Sequence, residues 1–160
     1  MIDSASKNGT ESKSLAGNIE FKGVKFSYPS RLESQVLKGT SLNVKAGSTV
    51  AFVGQSGCGK STCVQLLQRF YDPSAGSIMF DGEDIKNFNI QWLRSELGVV
   101  NQEPVLFGTS IKENIRFGKE FVTDEEIIQA AKNSNAHDFI MELPEVNFIF
   151  LFHFFQKSFN

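Results

Sequence analysis

The sequence predicts an α/β fold, and three stretches of the chain support that prediction. Residues 49–53 form a continuous apolar, β-branched run, which is typical of a strand buried on both faces. A glycine-rich loop follows this run. Residues 61–70 then place apolar side chains at helical spacing and contain neither Gly nor Pro, which predicts a helix. Upstream, residues 19–26 alternate apolar and polar side chains on either side of Gly23, as a half-buried strand does.

Shorter elements are predicted between and after these stretches from local signals. Asp81-Gly82 is a dipeptide typical of a tight hairpin turn, and it follows an apolar run. Thr123, with Glu126 three residues later, forms a capping box that opens a helix ending near Asn133. The other predictions, in chain order, are short strands at 36–37 and 42–44, a strand at 77–80, a helix at 91–97 and a short strand at 98–100.

The composition divides the chain into three parts. Residues 1–18 are rich in Ser, Lys, Gly and Asn and have few apolar side chains to bury, so a flexible lead-in is expected. Residues 19–144 form the folded part. Residues 145–160 form a tail that holds most of its apolar content as phenylalanine. Translation of intron sequence or a mispredicted exon is our hypothesis for this tail, and a lipid-touching anchor is the alternative.

Charge, cysteine content and hydropathy exclude several classes of protein. The 160 residues have a formal net charge of -2, which argues against a basic nucleic-acid-binding protein. The two cysteines, Cys58 and Cys63, are too few for a disulfide framework, so a reducing compartment is expected. No segment up to residue 144 is long and apolar enough to cross a membrane, which takes about 20 residues.

The strongest motif is a phosphate-binding loop between the run at 49–53 and the helix at 61–70. Its glycines let the backbone approach an anion closely, and the following helix adds its positive N-terminal end. Lys60 supplies a charge for the β- and γ-phosphates, the Ser61 hydroxyl suits Mg²⁺, and the Thr62 hydroxyl can donate towards the α-phosphate. In the pattern G-x-x-x-x-G-K-[ST], the loop consists of Gly54, Gln55, Ser56, Gly57, Cys58, Gly59, Lys60, Ser61 and Thr62.

The loop alone leaves the class of nucleotide-binding protein open. A small GTPase should show an N-K-x-D base-reading motif downstream, and the sequence contains none. A nucleotide kinase should show an arginine-rich lid, whereas the arginines here are scattered singly. Asp81 ends a short apolar run and resembles a second metal-binding carboxylate, but a turn explains it better.

Three further segments resemble a known family. They are FSYPSR at residues 26–31, LLQRFYDP at 66–73, and QWLR through VVNQEPVLF at 91–107. Together with the phosphate loop they closely resemble the nucleotide-binding domain of ATP-binding-cassette exporters, and most closely the multidrug-resistance P-glycoprotein subfamily (subfamily B). The resemblance covers about residues 19–144. It implies a P-loop NTPase core with an antiparallel β-subdomain.

The resemblance implies roles for individual residues. Tyr28 matches the aromatic side chain that stacks on adenine, and Arg31 and Val36 match positions that flank the same ring or the ribose. Residues 57–62 match the phosphate cradle. Gln102 matches the side chain that reaches Mg²⁺ and the attacking water.

These matches imply ATP and Mg²⁺ as cofactors. Ser61 and Gln102 would be the magnesium ligands, and Lys60 and Gln102 the catalytic groups of an incomplete site. The implied partners are a second nucleotide-binding domain and the coupling helices of a transmembrane domain. The parent protein would export hydrophobic compounds, with this part at the cytoplasmic face of a membrane, which is expected to be the plasma membrane. The isolated chain is expected to be cytoplasmic.

The family's Leu-Ser-Gly-Gly-Gln signature, Walker B Asp, base Glu and switch His do not follow within this sequence. The expectation is therefore of a domain truncated before those segments, which binds ATP but does not turn it over alone. The alternative is a non-catalytic product that only pairs with transporter domains or has no independent function.

Overall fold

A computed structural model describes residues 2–12, 14–101, 105–119 and 121–143. The predictions for Gln102 and for the tail at 145–160 concern residues outside this description. The chain divides into two compact units, Met1–Val99 and Val100–Asn160.

The first unit contains an antiparallel sheet of four strands in the order β2-β1-β3-β4. The strands are β1 (Ile19–Ser27), β2 (Gln35–Val44), β3 (Ala75–Phe80) and β4 (Glu83–Asp84). β1 is central and pairs with β2 on one side and β3 on the other. β2 is one continuous strand, where the sequence predicted two short ones. The predicted hairpin is confirmed, because β3 and β4 pair across Asp81-Gly82.

A bulge in β1 explains why its apolar residues change spacing. The pairing of β1 with β2 shifts register between Phe21 and Val24, and Gly23 between them has a positive φ of 56°. In a regular strand, Phe21 and Val24 would point to opposite faces of the sheet. The extra residue brings both onto the same face, where they are buried together with Phe26.

Where the first unit is described, it also contains two helices, α1 (Lys60–Leu67) and α2 (Ile90–Ser95). Leu66 of α1 and Leu93 of α2 are fully buried, and both belong to the core that covers the apolar face of the sheet. Burying a leucine side chain stabilises the fold by about 1.5–3 kcal/mol, so these two positions anchor the helices to the core.

α1 ends three residues earlier than the sequence predicted. Arg69 has a left-handed backbone with φ 52°, and the amides of Arg69 and Phe70 donate to the carbonyls of Leu66 and Gln65. This is a Schellman ending with arginine where glycine is usual. The Arg69 guanidinium holds the turn, since it donates to the Asp72 carboxylate and to the carbonyl oxygens of Ile85 and Phe88.

The predicted strands at residues 49–53 and 98–100 are wrong in this structure. Within the described parts of the chain neither segment pairs with a strand, and the exposed fraction reaches 92% at Val53 and 99% at Val100. An apolar, β-branched run favours a strand, but the strand forms only where a neighbour supplies hydrogen bonds and covers the side chains.

The segment predicted as a flexible lead-in is docked on the first unit where it is described. The Asp81 carboxylate accepts hydrogen bonds from the amides of Ala16, Gly17 and Asn18 at 2.7–3.1 Å. Further upstream, Thr10 pairs with the backbone on both sides of Phe88. Composition predicted few apolar contacts here. Leu15 packs against the core, but the hydrogen bonds that dock the segment are polar contacts, which composition does not reveal.

The described residues of the second unit contain three short helices, α3 (Ile111–Arg116), α4 (Asp124–Asn133) and α5 (His137–Met141). The capping box predicted at Thr123 is confirmed, with Glu126 donating its amide to the Thr123 hydroxyl and accepting the Thr123 amide. Lys112 on α3 pairs with Asp124 at 2.7 Å. Among the described residues of both units, no helix is long and apolar enough to cross a membrane.

The Asp81 contacts predict a pH-dependent contribution to stability. Desolvation is the largest single influence on Asp81 and opposes its ionisation, but the hydrogen bonds donated by Asn18, Gly17 and Ala16 together outweigh it and lower the pKa of the carboxyl below its ordinary 3.8. Because the folded-state pKa lies below the ordinary pKa, the ionised carboxylate stabilises the fold at pH values above the ordinary pKa. This stabilisation is lost as the pH falls through the folded-state pKa.

Asp81→Asn should therefore reduce stability at pH 7 by about 1 kcal/mol, a value discounted because the carboxylate is exposed. Asn tolerates the positive φ of 49° at this position, so backbone strain does not contribute. Urea unfolding at pH 7 and pH 3 measures the effect, and the difference between the two proteins should shrink at pH 3. A constant difference at both pH values would contradict the assignment.

Glycines 57 and 59 form a matched pair that tests how α1 packs on β2. Gly59→Ala would place a Cβ 2.7 Å from Leu37 Cδ2, while Gly57→Ala meets nothing within 4 Å. The backbone φ is 83° at Gly57 and 95° at Gly59, so both variants carry backbone strain of about 1–2 kcal/mol. Because Leu37 is buried, Gly59→Ala should lower the free energy of unfolding by at least about 1 kcal/mol more than Gly57→Ala does, as measured by thermal unfolding. Equal losses of stability in the two variants would show that position 59 does not lie close to Leu37 in solution.

Candidate functional site

The phosphate loop turns sharply before it enters α1. The Cys58 amide donates to the Gln55 carbonyl at 3.3 Å, which closes a turn. A Cβ on Gly54 would lie 2.7 Å from Cys58 Sγ, so the start of the loop lies directly against its own turn. The exposed positions Gln55, Ser56 and Cys58 lie on this turn.

The N-terminus of α1 has no side chain to satisfy its amides. Its cap residue is Gly59, no side chain caps it, and the first turn contains no acidic residue. In contrast, Asn89, Ser110 and Thr123 cap α2, α3 and α4 with side-chain oxygens. The first amides of a helix have no partner within the helix, and they make its end positive. This helix end therefore suits an anion such as a phosphate group.

The Lys60 ammonium lies across the loop. Its Nζ donates to the carbonyl oxygens of Gly54 at 2.7 Å and Gln55 at 2.9 Å, and it lies 3.6 Å from Cys58 Sγ. These contacts hold a positive charge at the same end of α1 as the uncapped amides. The lysine can exchange a carbonyl contact for a phosphate oxygen by a small movement of its flexible side chain.

The two hydroxyls that follow Lys60 have different surroundings. Ser61 is exposed, so its oxygen is accessible to a cation. Thr62 is only 4% exposed, and its Oγ1 lies 2.9 Å from Tyr28 Oη. Across the described residues, no cluster of three or more His, Cys, Asp or Glu side chains could hold a metal ion. A Mg²⁺ ion fits Ser61 nevertheless, because Mg²⁺ commonly takes few protein ligands together with phosphate oxygens and water.

Tyr28 lies immediately after β1 and its hydroxyl contacts the phosphate-loop helix. Besides Thr62, the Tyr28 hydroxyl lies 2.9 Å from Gln65 Oε1 and donates to it. Its ring meets the rings of Phe26 and Tyr71 edge-on, at centroid distances of 5.0 and 5.4 Å. The ring is thus held by aromatic packing and by its hydroxyl at the same time.

The two other residues matched to the base and ribose differ in position. Val36 lies against the loop, since its Cγ1 would be 3.3 Å from a Cβ at Gly59. Arg31 is exposed in the turn after Tyr28, and its amide donates to the Tyr28 carbonyl. The structure therefore brings Tyr28 and Val36 to the phosphate loop, while the Arg31 backbone fixes the turn that carries Tyr28.

Sequence reasoning missed Gln65, Phe26 and Tyr71 as neighbours of Tyr28. Gln65 follows Thr62 by three residues, and positions i and i+3 share one face of a helix, so a polar pair on the face of the phosphate-loop helix was visible in the sequence. That this face meets Tyr28 depends on tertiary packing and has no local signal.

The two cysteines lie on either side of the helix start. Cys58 is exposed on the loop, while Cys63 is buried in α1. Burial, with the nearby Cys58 thiol, raises the pKa of the Cys63 thiol, and its own backbone hydrogen bond only partly offsets this. Cys63 therefore acts as a small apolar side chain of the core.

Comparison with known families and proteins identifies the domain. Residues 37–149 match the ABC transporter family model. Relatives include ABC transporter B family member 15 of Arabidopsis thaliana, 54% identical over 89% of this chain and 12% of that protein. The human ATP-binding cassette sub-family B member 5 is 54% identical over 89% of this chain and 11% of that protein. Multidrug resistance protein 1 of Entamoeba histolytica is 54% identical over 90% of this chain and 11% of that protein.

A solved structure confirms the predicted fold class. The chain matches a bacterial Atm1-family ABC exporter with ATP bound, with a TM-score of 0.79 and 38% identity, over 89% of this chain and 26% of that one. The chain spans about a tenth of the length of the curated relatives it matches. The family model covers well over half of the chain, and the predicted resemblance to subfamily B exporters is confirmed. The chain therefore belongs to the ABC transporter family, and its sequence is that of the nucleotide-binding domain.

Proposed function

We propose that this chain binds ATP through the phosphate loop and Tyr28. The observation that carries the proposal is the start of α1, where uncapped amides and the Lys60 ammonium face the same loop. Tyr28 lies one hydrogen bond from Thr62 of that loop. An aromatic plane beside a phosphate site suits a base followed by a triphosphate, because stacking holds the base while the charged loop holds the phosphates.

Mg²⁺ is proposed to bind together with the nucleotide. Bound there, the ion would neutralise charge on the β- and γ-phosphates. Ser61 supports this assignment because its hydroxyl is exposed at the helix start. Gln102, the other predicted magnesium ligand, lies outside the described residues and stays a prediction.

The parent protein is proposed to couple ATP hydrolysis to export of hydrophobic compounds across a membrane. This rests on relatives of which the chain matches only about a tenth, one of them named a multidrug resistance protein. In such a protein the present part would lie at the cytoplasmic face of the membrane and pair with a second nucleotide-binding domain.

The second unit has a surface that suits the proposed contact with transmembrane coupling helices. The rings of Phe107 and Phe117 stack with centroids 4.1 Å apart, yet about half or more of each side chain is exposed. Val105, two residues before Phe107 in the sequence, is also exposed. Exposed, adjacent aromatic side chains are typical of a contact surface for another protein segment.

Removing the Lys60 charge tests the proposed ATP site. Lys60→Ala should weaken ATP binding roughly 10- to 100-fold, the effect of losing a charge-assisted contact to phosphate. Isothermal titration of the full chain with Mg-ATP, and with ATP plus EDTA, measures this loss and the share due to Mg²⁺. Lys132→Ala, on α4 in the other unit, is the matched control and should bind as the unsubstituted chain does. Equal affinity of the Lys60 and Lys132 variants would contradict the proposal.

A further inference from the structure

The hydrogen bonds around Tyr28 form a chain with one direction. Tyr28 Oη lies 2.9 Å from both Thr62 Oγ1 and Gln65 Oε1. A carbonyl oxygen only accepts, so the single phenolic proton goes to Gln65. For the other contact to be a hydrogen bond, Thr62 must donate its hydroxyl proton to Tyr28. All three side chains are buried or half-buried, which favours a fully paired arrangement.

The Thr62 hydroxyl therefore has two possible acceptors for the one hydrogen bond that it can donate. Its one hydroxyl proton can go to Tyr28 or to a phosphate oxygen, but not to both. When a phosphate oxygen accepts the hydrogen bond from Thr62, the Tyr28 hydroxyl keeps only its hydrogen bond to Gln65. The ring then depends on Gln65 and on its packing with Phe26 and Tyr71 for its position.

We propose that Gln65 is a positioning residue, which holds the adenine-stacking face of Tyr28 at a fixed place relative to the phosphate loop. Gln65 and the loop's Thr62 belong to the same rigid helix, α1. The backbone of Gln65 is fixed as well, because its carbonyl accepts the Phe70 amide in the turn that ends α1. Gln65 thus links the site for the base to the site for the phosphates without touching either. This inference rests on the proposed ATP binding.

The test compares ATP with inorganic tripolyphosphate, which carries phosphates but no base. Full-length Gln65→Leu should bind ATP about three- to ten-fold more weakly, as expected for one lost hydrogen bond, and tripolyphosphate as before. The ratio of the two affinities is the readout, because a merely structural defect lowers both alike. Tyr28→Phe keeps the ring and loses the hydroxyl, so it should change the ratio as Gln65→Leu does. The double variant should be no worse than either single one.

Two further variants sharpen the result. Gln65→Glu keeps an acceptor for the phenolic proton, so it should restore the ratio even if its charge weakens binding of both ligands. Gln68 lies near the same end of α1, but its side chain donates to the Val64 carbonyl and not to Tyr28. Gln68→Leu should therefore leave the ratio of ATP affinity to tripolyphosphate affinity unchanged.

Each outcome decides the inference. ATP binding with an unchanged ratio in Gln65→Leu overturns the positioning role and leaves the proposed function intact. A changed ratio that Gln65→Glu fails to restore also overturns it. If the unsubstituted chain binds tripolyphosphate but ATP no better, or binds neither, the proposed function fails and the inference fails with it.

Discussion

The close approach of α1 to β2 at Gly59 determines most of the arrangement around the phosphate loop. Without a side chain at Gly59, the start of the helix lies directly against Val36 and the buried Leu37. The helix is thereby fixed to the antiparallel sheet at its cap residue, and Leu66 fixes it to the core about two turns later. The loop is therefore mounted on a packed element, so its amides and Lys60 keep a defined direction.

The same approach brings the end of β1 to the helix. Tyr28 follows β1 and reaches Thr62 and Gln65 on one face of α1, while Phe26 and Tyr71 pack against its ring. The aromatic plane and the phosphate loop thus come from different parts of the sequence and meet because the sheet and helix share one core. Packing that stabilises the fold also sets the distance between the two parts of the candidate site.

The sequence predicts best what a local pattern imposes on the backbone. The glycine-rich turn before α1, the Asp81-Gly82 hairpin and the Thr123 capping box each follow from a few adjacent residues, and the structure contains all three. The run at residues 49–53 was misjudged because a strand depends on a partner elsewhere in the chain. Arg69 ends α1 with a left-handed backbone that glycine usually provides, since distant carbonyls hold its side chain. The role of Tyr28 came from resemblance, whereas its bond to Gln65 depends on tertiary packing.

Asp81 shows a second use of the physics that makes the start of α1 suit a phosphate. Three successive amides, from Ala16 to Asn18, converge on its carboxylate and form an anion nest. The chain fills this nest with its own side chain, whereas no side chain fills the start of α1. The amides of residues 16–18 thus bind a carboxylate of the chain itself, whereas the amides at the start of α1 are free to bind an external anion. Protonating Asp81 removes the anion from this nest, so acid should release residues 16–18 as loss of a ligand would empty a binding site, while the backbone contacts of Thr10 remain.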